Sequence, residues 1–303
     1  MAITAQDVKN LREMTGCGMM DCKKALAASE GDMDKAIEWL REKGLAASAK
    51  KAGRIAAEGM AYACVVDGIG VAVEVNAETD FVGKNEKFVD FVKGVANTVA
   101  KCNPADLDAL MECKYDGTDL TVLQQQQEMV LVIGENIKVR RFARFEGGFS
   151  VPYIHAGGKI GVLVNLEVTG GIDATEIGKD MAMQIAALNP RFWDKSQVTQ
   201  DVLDEEKKIM LAQMANDPKM ASKPDQVKEK IVLGKLTKFY SENCLLQQAF
   251  VKDGDMTVEQ YMNSAAKTLG GTVKFLDAVR FEKGEGIEKK QENFAEEIAK
   301  LAK

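Results

Sequence analysis

The sequence predicts an α+β protein that opens with three short helices and continues as two related units of strands and helices. Apolar residues recur at helical spacing between residues 8 and 40. A β-β-α-α-β pattern then occurs twice, which indicates two copies of one unit, each with an antiparallel three-stranded sheet. The second copy also contains an insertion of helical spacing.

Composition places the chain among ordinary globular proteins of two or three domains. Hydrophobic residues make up 46% and charged residues 28%, enough for a core and too balanced for a disordered chain. The net charge of −6 argues against attraction of the whole surface to nucleic acid or an anionic membrane, so we expect protein partners. Six cysteines without a C-x-x-C pair, and an N-terminus without a hydrophobic signal core, favour a cytoplasmic location.

The first helices are marked by capping signals. Thr4 followed by Asp7 predicts a capping box at the start of the first helix, and Asp32 predicts the cap of the third. Glycine suits the left-handed conformation that terminates helices, so Gly44 is the expected end of the third helix. The Ala- and Lys-rich residues 45–54 then indicate a flexible or partly helical tether with few contacts across it. The predicted first domain is residues 1–55.

The turn between the first two helices carries several methionines. Residues 14–20, Met-Thr-Gly-Cys-Gly-Met-Met, with Gly31-Asp32 and Ala36-Ile37 downstream, resemble a ubiquitin-associated three-helix domain. Methionine adapts to partner surfaces, so Met19 and Met20 are candidates for a protein-binding patch. The alternative is that both fill the small core of this domain.

The internal repeat defines the middle of the chain. A hairpin pattern at residues 62–75 recurs at residues 153–166, and each copy is followed by a helix that ends at Asn-Pro. Each copy has a second helix ending at glycine and then a strand containing Arg-Phe-Glu. The predicted domains are residues 56–148 and 149–283, followed by a C-terminal helical module behind a glycine hinge at residues 284–303.

The two copies differ at two places. Phe91 lies sixteen positions after Val75, but Ile177 lies only eleven positions after Leu166, so the first copy has an enlarged loop that contains Phe81. An exposed apolar loop residue is typical of partner binding, although Phe81 packing against its own domain is an equal alternative. The second copy has an inserted helical hairpin at about residues 197–241, either a stiffening element or a binding arm.

The sequence offers little for catalysis or cofactor binding. His155 is the one histidine, the cysteine spacing does not fit zinc, and no phosphate-binding loop motif occurs. We therefore expect neither a bound nucleotide nor a metal nor another cofactor, and we expect the protein not to be an enzyme.

Several motifs together resemble the bacterial elongation factor Ts family, the guanine nucleotide exchange factors for elongation factor Tu. They are Thr-Gly-Cys-Gly-Met-Met-Asp-Cys-Lys-Lys-Ala-Leu (15–26), Thr-Asp-Phe-Val-x-Lys (79–84), Ile-Gly-Glu-Asn-Ile (133–137), Tyr-x-His (153–155) with Ile-Gly-Val-Leu-Val (160–164), and Gly-Glu-Gly-Ile-Glu-Lys (284–289). The resemblance runs from end to end and is highly specific when the motifs are taken together.

The resemblance implies roles for particular residues. Thr79, Asp80, Phe81 and Val82 would enter the partner near its magnesium ion and GDP, and so release the nucleotide. The remaining expected contacts are Arg12, Met19, Met20 and the C-terminal helix for the partner's nucleotide-binding domain, Ile133 and Gly134 as support, and His155 for a different partner domain. The competing hypothesis is a polypeptide-binding adaptor, which leaves the loop present in only one repeat unexplained.

Overall fold

The computed structural model describes residues 3–221 and 223–288 and confirms the α+β class. The described residues form two units by internal contacts. The first contains residues 3–144, 154–161 and 281–288, and the second contains residues 145–153 and 162–280, apart from residue 222. The predicted C-terminal helix, residues 287–301, lies outside the described residues except for Ile287 and Glu288, which are not helical. The domain boundaries given above stay predictions.

The first unit opens with the three expected helices. They are α1 (Ala5–Thr15), α2 (Met19–Ala28) and α3 (Met33–Lys51). Both predicted caps are present, because Thr4 and Asp7 form a capping box and the Asp32 carboxylate accepts the N–H of Lys35. The core of the bundle includes Leu11, Cys22 and Leu26, which have no exposed surface.

The prediction that the third helix ends at Gly44 is wrong, since α3 continues through the supposed tether to Lys51. The reason is a contact with the later helix α6 (Val122–Ile133). Gly44 is buried, and a Cβ at this position would lie 3.3 Å from the backbone oxygen of Gln127. Leu131 and Val132 of α6 also pack against the bundle core. This glycine therefore permits close helix packing and does not terminate the helix.

The first repeat follows the predicted β-β-α-α-β order with one addition. Its elements are β1 (Glu58–Val66), β2 (Ile69–Ala77), α4 (Glu86–Cys102), the unpredicted short helix α5 (Leu107–Glu112), α6 and β3 (Lys138–Phe145). The sheet order is β1-β2-β3, with β1 and β2 antiparallel. The predicted stops hold: Asn103 after α4 and Gly134 after α6 are both left-handed caps.

The second repeat has the same order with a longer insertion. Its elements are β4 (Phe149–His155), β5 (Ile160–Thr169), α7 (Thr175–Leu188), α8 (Gln200–Asn216), α9 (Pro218–Ala221), α10 (Asp225–Asn243), β6 (Ala249–Phe250), β7 (Asp253–Thr257), α11 (Val258–Thr268) and β8 (Thr272–Glu282). The sheet order is β4-β5-β8. The predicted helical hairpin is present as α8 and α10, which share an apolar core around Met214 and Leu236. The β6-β7 ribbon was not predicted.

Candidate partner-binding site

The loop between β2 and α4, residues 78–84 and hereafter the Phe81 loop, presents one large apolar side chain to solvent. Phe81 is 81% exposed, so the alternative in which it packs against its own domain is wrong. The next residue points the other way: Val82 is 6% exposed and belongs to the core of the first repeat. A short 3-10 turn, Val82–Lys84, then leads to Asn85, which caps α4 by accepting the N–H of Lys87. Val82 thus anchors the side of the loop that enters the helix.

The other side of the loop is fixed by hydrogen bonds to the segment that joins α6 to β3. Two carboxylates accept them, Glu135 in that segment and Glu78 in the loop. Glu135 accepts hydrogen bonds from the backbone N–H of Glu78 at 3.1 Å, the N–H of Thr79 at 3.0 Å and the Thr79 hydroxyl at 2.7 Å. In return, Glu78 accepts the N–H of Asn136 at 2.6 Å. Phe81 and Asp80 therefore stand between two fixed points.

The end of α3 joins the same network. Arg54 lies 3.5 Å from the Glu78 carboxylate, and its backbone oxygen accepts a 2.8 Å hydrogen bond from the Asn136 side chain. Lys51 donates to the backbone oxygen of Gly134 at 2.5 Å, and burial together with Arg54 lowers the pKa of Lys51. The N-terminal helices are thus bonded to the base of the Phe81 loop.

Phe81 lines two surface depressions. One, of about 340 Å³, also includes Gly16, Lys87 and Ile133. The other, of about 1130 Å³, includes Arg54, Ile55, Asp80 and other residues of the same unit. An aromatic ring that lines two concavities and remains exposed has the form of a contact for another molecule.

A second exposed apolar group surrounds the turn between α1 and α2. Met19 is 58% and Met20 63% exposed, so the alternative that they fill the core is wrong. Met14, in the last turn of α1, is also 63% exposed and joins this group. Arg12 is exposed in the last turn of α1. The turn therefore presents three methionines and one arginine.

The remaining predicted site residues lie in different surroundings. Ile133 is partly buried and lines the smaller depression, while Gly134 is an exposed helix cap with φ of 87°. His155, the last residue of β4, is exposed.

Sequence reasoning missed Glu135, Arg54 and Met14. Glu135 lies within the Ile-Gly-Glu-Asn-Ile motif that supported the family resemblance, and that motif was the available signal. Its partners Thr79 and Glu78 lie 56 and 57 residues away in the chain, so spacing gives no indication of the contact.

Two features are absent from the described part of the chain. Within residues 3–221 and 223–288, no three or more His, Cys, Asp or Glu side chains are grouped so as to hold a metal ion. None of the helices in this part of the chain combines the length and apolar character that a bilayer crossing requires.

The chain is thus an α+β protein of two related repeats with an exposed aromatic ring on a fixed loop. The family model described as elongation factor TS matches residues 78–285. Curated elongation factor Ts proteins from Clostridium perfringens (strain SM101 / Type A) and Clostridium kluyveri (strain NBRC 12016) are 50% and 49% identical, over 99% and 98% of both chains. That of Syntrophotalea carbinolica is 45% identical over the full length of both. The chain belongs to the elongation factor Ts family.

Proposed function

We propose that this protein is a translation elongation factor that binds GDP-bound elongation factor Tu and promotes release of the GDP. The observation that carries the proposal is the 81% exposure of Phe81 on a loop held at both sides. Its exposed ring buries little apolar surface in the free protein, and burial in a partner would recover that surface.

The proposed mechanism requires no covalent chemistry. The segment Thr79 to Phe81 enters the partner beside its magnesium ion and GDP. Val82, which the family resemblance included in this contact, instead anchors the loop in the core of the first repeat. Asp80 and Phe81 disturb the groups that hold the metal and the phosphates, the magnesium ion is displaced, and GDP leaves. The factor works by linkage, because it binds the empty partner more tightly than the GDP-loaded one. In this proposal the protein is not an enzyme, needs no cofactor and acts in the cytoplasm without direct contact to nucleic acid or membrane.

Other surfaces supply affinity in the proposed complex. Arg12, Met19 and Met20 contact the nucleotide-binding domain of the partner, together with the C-terminal module. Ile133 and Gly134 support this contact beside the Phe81 loop, and His155 meets a different partner domain. The exposure of the methionines supports the assignment, because methionine adapts well to the surface of a partner.

The test is release of a fluorescent GDP analogue from cognate elongation factor Tu. We expect the wild-type protein to accelerate release and Phe81→Ala to slow it roughly ten- to a hundred-fold at limiting factor, since burial of the ring contributes about 1.5 to 3 kcal/mol. The melting temperature should stay unchanged, because the ring is exposed. Failure of the wild-type protein to accelerate release would contradict the proposal.

The second candidate is a polypeptide-binding adaptor, favoured by the exposed Met14, Met19 and Met20. It predicts that these methionines bind an extended chain and that Phe81 is dispensable. The adaptor would be supported over the exchange factor by two results together. The Met19→Ser/Met20→Ser variant would lose polypeptide binding, and the wild-type protein would not accelerate GDP release.

A further inference from the structure

We propose that Glu135 is a positioning residue for nucleotide exchange, one that holds the Phe81 loop in the shape that enters the partner. This inference rests on the proposed function. Its basis is the three hydrogen bonds that one carboxylate accepts from Glu78 and Thr79, at 3.1, 3.0 and 2.7 Å. Two of the donors are backbone N–H groups immediately before Asp80 and Phe81, so the contact fixes the chain direction and not only a side chain.

Glu135 is itself held firmly. It follows Gly134, whose left-handed conformation caps α6 and whose backbone oxygen accepts a hydrogen bond from Lys51. The next residue, Asn136, donates its N–H to Glu78 and its side-chain amide to the backbone oxygen of Arg54. The two segments therefore bond reciprocally, and the carboxylate acts from a fixed base.

Removal of the carboxylate would return the N–H groups of Glu78 and Thr79 to water. Val82 would still anchor the far side of the loop, but the near side would sample other conformations. The partner complex would then have to order these residues, at an entropic cost that opposes insertion. Surfaces away from the loop are unchanged, so we expect the maximal rate of GDP release to fall while the half-saturating concentration of factor changes little.

Two substitutions separate positioning from charge. Glu135→Ala removes all three hydrogen bonds. Glu135→Gln can keep them, because its amide oxygen can accept both N–H groups while its NH2 group donates to the Thr79 hydroxyl. The control is Glu112→Ala, which removes an exposed carboxylate at the end of α5.

The experiment measures GDP release from cognate elongation factor Tu against factor concentration, together with amide hydrogen exchange of the free protein. For Glu135→Ala we expect a maximal rate roughly ten- to a hundred-fold lower, from the ordering cost of two residues, and faster exchange of the Thr79 amide. Glu135→Gln should stay within about threefold of wild type in rate, with its Thr79 amide protected. Glu112→Ala should match wild type in both measurements.

Three outcomes would overturn the inference. Wild-type rates and a protected Thr79 amide in Glu135→Ala would show that the contact does not order the loop. A Glu135→Gln variant as slow as Glu135→Ala, yet still protected, would show that charge matters and positioning does not. A loss of global stability in Glu135→Ala large enough to account for its loss of GDP-release rate would assign Glu135 a purely structural role. If the wild-type protein does not accelerate GDP release from elongation factor Tu at any factor concentration, the proposed function itself fails. That result is visible in the wild-type measurements alone, without any variant.

Discussion

Phe81 and Val82 are neighbours with opposite surroundings, and this alternation directs the aromatic ring outward. Val82 is in the core of the first repeat, and Asn85 starts α4 three residues later. With the chain fixed on this side by packing and on the other by Glu135, the ring has little freedom to fold back. The energetic roles of the two residues should therefore separate cleanly on mutation.

We predict that Val82→Ala lowers the free energy of unfolding, whereas Phe81→Ala does not. Val82 is 6% exposed, so loss of its methyl groups should cost about 1 to 3 kcal/mol through lost burial and a small cavity. Phe81 is exposed and should change stability by less than about 0.5 kcal/mol. Urea denaturation of both variants checks this. A destabilised Phe81→Ala with unchanged Val82→Ala would reverse the assignment of ring and anchor.

A further residue-level expectation concerns Asp80, which adjoins Phe81 in the exposed part of the loop. Asp80→Ala should also slow GDP release, because it removes the carboxylate proposed to disturb the partner's metal site. The double variant should lose less than the sum of the two single effects, because adjacent residues on one loop share their effect. A double-mutant cycle on release rates measures the coupling, and strict additivity would show that the two side chains act independently.

The exposure of Phe81 was one of two readings that the sequence left open, and the surroundings of its loop were not predictable. The sequence marked an enlarged polar connection with one aromatic residue, which is a local pattern. The burial of Val82 and the bonds to Glu135 depend on segments that meet only in the fold. Patterns of apolar spacing contain no information about such polar contacts between distant segments.

At the scale of elements, the principal contact of the N-terminal bundle is the packing of α3 on α6. The contact includes the close approach of Gly44 to Gln127 and an ion pair of 3.3 Å between Arg41 and Glu128. Leu131 and Val132 contribute apolar surface to the bundle core. The three helices are therefore packed against the first repeat and are not loosely tethered to it.

We predict that Gly44→Val destabilises the protein by about 2 kcal/mol or more, because a branched side chain would clash with the backbone of α6. The matched control is Gly53→Val, since a Cβ at Gly53 meets no atom within 4 Å and its φ is not positive. The control should change stability by less than about 1 kcal/mol. Thermal and urea unfolding of both variants provide the measurement, and equal stabilities would show that α3 does not pack tightly on α6.

Helix starts and several helix stops were predictable because their causes are local. Thr4 and Asp32 bond within one turn of their own helices, and Asn103 adopts the left-handed conformation after α4. Gly44 also looks like a helix stop in the sequence, because glycine often ends helices. Its actual role comes from its contact with Gln127 of α6, 83 residues later in the chain. Local chemistry therefore predicted most element boundaries and failed where tertiary packing decided.

At the scale of the whole first unit, the turn at Gly284 is bonded to the first sheet around Glu74. This carboxylate has no exposed surface, and it accepts hydrogen bonds from Arg140 at 2.9 Å, Arg141 at 2.5 Å and the backbone N–H of Gly284 at 2.8 Å. Gly284 has φ of 71°, and a Cβ there would lie 2.0 Å from the backbone oxygen of Ala57. The glycine hinge predicted from sequence is therefore a tightly packed turn.

The Glu74 network gives a prediction about pH. Burial alone would raise the pKa of Glu74, but hydrogen bonds from Gly284, Asn76, Arg140 and Arg141 outweigh it and hold the pKa below the ordinary value of 4.5. A carboxyl whose pKa is lowered by folding adds stability above its unfolded pKa and loses that contribution as the pH falls through its folded pKa.

We therefore expect Glu74→Gln to be destabilised by about 3 kcal/mol at pH 7, the lower end of the range for breaking a buried ion pair, because both arginines keep some contact with water. The difference in free energy of unfolding between Glu74→Gln and the wild type should stay constant from pH 7 to about pH 5. It should narrow as the pH falls below 4.5. Urea unfolding at a series of pH values measures this difference. The control is Glu13→Gln, which removes an exposed carboxylate from a surface ion pair and should stay within about 0.5 kcal/mol of wild type. A gap that widened toward low pH would mean that folding raises the pKa of Glu74, and the network would then hold a proton instead of a charge.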